Sequence, residues 1–139
     1  MKYYIVTPAA EAETGEEAIF SSKDNPRKII FLHVYLVTYP ESELIQAYPA
    51  FIVTKKLRSA MESTGISGAK FLPCKVSKDP QYDDYSNTPD LPEMFGLEPF
   101  GVEDIDDIVF YSGTKIKASD RFVRLLKSLA HDGCEFKEQ

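Results

Sequence analysis

In FIVTKKLRSAMESTGISGAKFLP, residues 51–73, an apolar run meets Thr54 and then changes period. Phe51, Ile52 and Val53 suit a buried strand, being aromatic or β-branched. Thr54 has the side chain of a helix N-cap. Leu57, Ala60, Met61 and Thr64 then recur at the spacing of one helical face, and Gly65 follows as the residue that ends a helix. Phe71-Leu72-Pro73 reads as the next, short strand. A strand, a capped amphipathic helix, a glycine and a strand form the unit that the rest of the chain must complete.

The unit recurs in IKASDRFVRLLKSLAHDGCEF, residues 116–136. At a constant offset of 65 residues Ser119 matches Thr54, Phe122 matches Leu57, Leu125 matches Ala60 and Leu126 matches Met61. Ser128, Gly133 and Phe136 match Ser63, Gly68 and Phe71. Helices are expected over 54–64 and 119–130, the second ended by Gly133 and followed by a short strand Cys134–Phe136. Ile108–Tyr111 and Lys115–Ala118, joined by Ser112-Gly113-Thr114, predict a β-hairpin.

Working outward, residues 2–7 suit a first strand, and residues 8–26 lack periodicity and read as a loop. Arg27–Tyr39 is a nearly continuous apolar run, expected to be a strand buried on both faces and stopped by Pro40. Pro80, Pro89, Pro92 and Pro99 punctuate 79–101, which reads as a long connection without regular structure. The fold class is therefore α+β: one domain over residues 1–139, with a mixed or antiparallel sheet, two similar capped helices and a long acidic, Pro-rich loop at about 77–101.

The chain has 139 residues, 43% of them hydrophobic, enough to bury a core without a disulfide or metal. Cys74 and Cys134 show no ligand spacing, so neither a zinc site nor another cofactor is expected. The apolar run after Met1 is too short for a signal peptide, and no stretch is long enough to span a membrane. A cytoplasmic location with two reduced thiols follows as the expectation. The net charge of −6 argues against nucleic acid as a partner.

The charge is unevenly spread. Between Asp79 and Thr114 lie Asp79, Asp83, Asp84, Asp90, Glu93, Glu98, Glu103, Asp104, Asp106 and Asp107, whereas all 16 Lys and Arg lie outside that segment. Such a segment suits docking against a basic surface, with Tyr82, Tyr85 and Phe95 as aromatic anchors. Tyr82, Asp83, Asp84, Tyr85, Asp90, Glu93, Phe95, Glu103, Asp104, Asp106 and Asp107 are thus the candidate partner-binding residues. Glu11, Glu13, Glu16 and Glu17 in the 8–26 loop are the reserve candidate. Competing readings are a solvated loop or a Ca²⁺ site at Asp79, Asp83 and Asp84, which lacks EF-hand spacing. His33 reads as a hydrogen-bonded sheet histidine and His131 as a last-turn helix residue. A Cys–His nucleophilic pair has no local support, so no catalytic residue is assigned.

The pattern as a whole resembles a family of bacterial immunity proteins, formerly a domain of unknown function, encoded beside polymorphic contact-dependent toxins. The residues that carry the resemblance are Phe51–Thr54, Thr64–Gly68, Phe71–Pro73, Asp106–Phe110, Ser119–Phe122 and Gly133, with the opening Met1-Lys2-Tyr3-Tyr4. The resemblance implies a non-enzymatic protein that neutralises a cognate toxin by direct contact. The alternatives are a small enzyme or ligand-binding domain, or a scaffold subunit.

Overall fold

The computed structural model describes residues 1–21, 28–85, 90–129 and 133–139, with backbone only at 84 and 85. Arg27, Ala130 and His131 lie outside the described residues. The two helices form where their signals stand. α1 (Lys55–Thr64) starts at Thr54, whose hydroxyl accepts from the Leu57 N–H, and ends at Gly65 in the left-handed conformation. α3 (Asp120–Ser128) starts at Ser119, whose hydroxyl accepts from the Phe122 N–H. Each such cap contributes about 1 kcal/mol. α3 stops five residues before Gly133, because Leu129 is already extended. Gly133 instead takes a positive φ of 61° just before the last strand.

A four-stranded antiparallel sheet is built from β1 (Tyr3–Pro8), β9 (Ile108–Phe110), β10 (Ile116–Ser119) and β11 (Cys134–Glu138), in the order β11-β1-β10-β9. The predicted hairpin is β9–β10. A larger mixed sheet runs β2-β4-β7-β8-β6-β5, from β2 (Glu13–Thr14), β4 (Ile29–Leu36), β7 (Ala69–Lys78), β8 (Met94–Pro99), β6 (Ala50–Thr54) and β5 (Leu44–Ala47). β3 (Ile19–Phe20) pairs with β4 off this path. β4 and β7 are parallel, and the other pairings are antiparallel. The connection from β6 through α1 to β7 places β8 between its two strands. The connection from β10 through α3 to β11 places β1 between its two strands.

Three expectations are corrected. The 79–101 segment holds α2 (Tyr82–Tyr85) and β8, and β8 is an interior strand of the large sheet. Residues 8–26 supply β2 and β3. β4 ends at Leu36, and Ile30 and Phe31 stay exposed, so the strand is not buried along both faces. β7 is also longer than Phe71-Leu72-Pro73 suggests. Its first half pairs with β8 and its second, from Cys74, with β4, so Pro73 falls at the handover.

The large sheet closes on itself. Ala12 N–H donates to the Gln46 carbonyl at 2.8 Å and Gln46 N–H to the Ala10 carbonyl at 2.9 Å, while Glu13 and Thr14 pair with Tyr35 and Val34. The inner face holds Leu32, Val34, Ile45, Ala47, Ala50, Ile52 and Met94. The opposite face carries Phe51, Val53 and Leu97, which join Leu57 and Met61 of α1, Phe122 and Leu126 of α3, and Val6, Ile116 and Ala118 of the small sheet. Leu126 is fully buried there. Leu126→Ala is expected to cost about 2–5 kcal/mol by transfer loss plus cavity, measured as a shift of the urea midpoint at unchanged slope.

Candidate partner-binding site

The acidic segment is one in sequence but not in space. Lys78 reaches Asp83 at 3.0 Å, Lys55 reaches Glu93 at 3.9 Å, Lys117 pairs with Glu103, and the N-terminal ammonium lies 3.4 Å from Asp104. Folding thus brings cations from four other parts of the chain onto these acids. Asp90 stays exposed, and Asp106 accepts from the Val102 N–H at 2.8 Å, fixing the turn before β9. The side chains of Asp84 and Tyr85 lie outside the described residues.

Three candidates are drawn wholly or partly into the interior. Tyr82 is fully buried, its hydroxyl donating to the Asp90 carbonyl at 3.1 Å, so it is not a surface anchor. Phe95 is half-buried against the core, with the Arg58 guanidinium 4.4 Å from its ring centre. Asp107 is 5% exposed. It accepts from Ser119 Oγ at 2.6 Å, the Ser67 N–H at 2.9 Å and Arg121 at 2.6 Å. Arg121 also donates to the Thr64 and Gly65 carbonyls at the end of α1. Adjacency in sequence implies that Asp106 and Asp107 point different ways but not that Asp107 is the buried, ion-paired one; an Asp before a strand together with an Arg two residues after a cap is the signal for that.

What folding does assemble is a recess of about 380 Å³ at the mouth of the closed sheet. Glu13, Thr14, Gly15 and Glu16 form one wall, and Tyr35, Asp79 and Pro80 the other. It unites the first acid of the predicted segment with two acids of the reserve loop. Among the described residues no cation forms an ion pair with Glu13, Glu16 or Asp79.

His33 holds this wall in place. It is buried, its Nδ1 accepts from the Glu17 N–H at 3.2 Å, and its Nε2 lies 2.8 Å from Ser77 Oγ. Acceptance at Nδ1 makes Nε2 the protonated nitrogen and the donor to Ser77. Gly15 N–H bonds the His33 carbonyl at 2.6 Å, and a Cβ on Gly15 would lie 2.1 Å from the imidazole, so only glycine lets the turn lie flat on the ring. Lys75 pairs with Glu17 and ties the far end down. The expected sheet histidine is thus present, with a role the sequence did not reveal.

The remaining chemistry is quiet. Cys74 is a free thiol that burial pushes up to about 12, which keeps it protonated at neutral pH. Among the described residues no three metal-ligating side chains gather, and no helix is long and apolar enough to cross a membrane. Compared with protein-family models, curated proteins and solved structures, the chain gives no match.

Asp107 provides the pH test of the framework. Burial alone would raise its pKa, but the hydrogen bonds from Arg121, Ser119 and Ser67 outweigh this and hold it at about 2, below the ordinary 3.8. A depressed carboxyl stabilises the fold above its unfolded value, so the contribution is complete above about pH 4 and is lost as pH falls through 2. It amounts to on the order of 2 kcal/mol. Asp107→Ala is expected to lower stability by about 2–4 kcal/mol at pH 7, and to flatten the acid limb of a stability–pH curve measured by denaturant titration.

Proposed function

We propose that this protein is a binding protein that neutralises a cognate toxin, and that the acidic recess receives a basic feature of that partner. The observation that carries the reading is the convergence of Glu13, Glu16 and Asp79, without a cation paired to them among the described residues, around a concave site. Uncompensated carboxylates on a rigid rim favour a cationic side chain and speed its approach. The resemblance to immunity proteins supplies the class of partner.

The two helix-bearing units support a reading as copies of one plan. Each has two parallel strands joined through a helix and separated by an inserted antiparallel strand. In each, the N-cap hydroxyl also donates to a carboxylate, Thr54 to Glu43 and Ser119 to Asp107. On this reading the helices and their sheets are scaffold, and recognition lies on the segments that differ between the units. A protein of this kind turns over no substrate. The half-buried, protonated Cys74 and the fully engaged His33 agree with that.

The test uses the toxin domain encoded beside this chain. Glu13→Lys, Glu16→Lys and Asp79→Lys together should weaken binding by about tenfold or more at low salt, with less difference at high salt, and abolish protection of cells expressing the toxin. Unchanged melting would show that the fold is intact. Binding equal to the parent would remove the recess from the interface, and failure of the parent to bind or protect would overturn the toxin-neutralising reading.

A further inference from the structure

The small sheet has an outer edge, from Glu135 to Glu138 of β11, whose chemistry is complementary to itself. The bonds from Ala9 N–H to the Gly133 carbonyl, 2.9 Å, and from Gln139 N–H to the Tyr3 carbonyl, 3.1 Å, fix the phase of the β1–β11 ladder. Residues 133, 135, 137 and 139 therefore turn their backbone groups toward β1. Phe136 and Glu138 turn theirs the other way. Among the described residues no strand pairs with that outer side.

We propose that two copies of the protein pair antiparallel through β11, with the two-fold axis at Phe136. A register centred on Phe136, the middle residue of β11, lets its two copies exchange hydrogen bonds at the axis, whereas centring on Glu135 or Lys137 would oppose like charges there. That register opposes Phe136 to its copy and Glu135 to Lys137 of the other chain, twice. The 135–137 positions are non-hydrogen-bonded pairs, in which opposed side chains come closest. Glu135 and Lys137 are exposed, and within their own chain they sit opposite Thr7 and Ile5, which carry no charge. Charges on an edge strand ordinarily discourage pairing. Here their alternation removes that protection against one particular partner, a second copy, and the two small sheets become one.

Charge exchange tests this without touching the core. In sedimentation velocity over a concentration series the parent should shift from one copy of 15.7 kDa to two. Glu135→Lys alone places lysine against lysine, and Lys137→Glu alone places glutamate against glutamate, so each variant should remain monomeric at concentrations where the parent is dimeric. Mixing the two variants restores opposite charges at both positions and should restore the dimer, which also shows that both are folded. A parent that stays monomeric up to its solubility limit overturns the proposal. So does a dimer that both variants retain, or a mixture that fails to pair.

Discussion

The carboxylate of Asp107 is the constraint from which the arrangement of layers follows. A buried charge is tolerated only when paired and fully hydrogen-bonded, and its partners come from three places: Ser67 after α1, Ser119 at the start of α3, and Arg121 in its first turn. Because Arg121 also serves the last carbonyls of α1, one ion pair sets the end of one helix against the beginning of the other. Gly68 completes the joint. It sits at φ 89°, and a Cβ there would lie 2.3 Å from the Ile108 carbonyl oxygen. The apolar residues between the sheets supply most of the driving force, but they are non-directional, and the polar joint gives them a single alignment.

Local signals were the legible part of the fold. Thr54 and Ser119 act within three residues of themselves, so their role could be read from spacing alone, as could the β9–β10 hairpin and the Gly65 cap. β8 could not. Met94-Phe95-Gly96-Leu97 has no β-branched residue and lies between Pro92 and Pro99, yet it is interior because β6 and β7 both need a partner. Its glycine is useful for that very reason: a Cβ on Gly96 would lie 2.8 Å from Leu32. Tertiary pairing overrode local propensity there. The short strands β2 and β3 were hidden in the same way, since two residues carry no period.

The site was half legible for a different reason. Charge segregation along a chain predicts a charged surface only if folding leaves the segment's neighbours neutral. Lys55, Lys78, Lys117 and Arg121 are distant or flanking in sequence and adjacent in space, so much of the long acidic stretch's charge is compensated at Glu93, Asp83, Glu103 and Asp107. The acids of the recess come from two stretches that meet because residues 10–14 close the large sheet. Of the aromatic anchors Tyr82 failed on burial, with its hydroxyl satisfied internally and its ring covered.

The position of β1 has a consequence for how the molecule is assembled. It is the earliest strand of the chain, yet its two neighbours, β10 and β11, lie more than a hundred residues later. The large closed sheet draws only on residues between Ala10 and Pro99, so its strands have shorter loops to close than β1 has. Until those late strands arrive, Tyr3–Pro8 lacks both of its partners. Its pairing is a chain-closure step of high sequence separation, which is slow and leaves a sticky segment exposed.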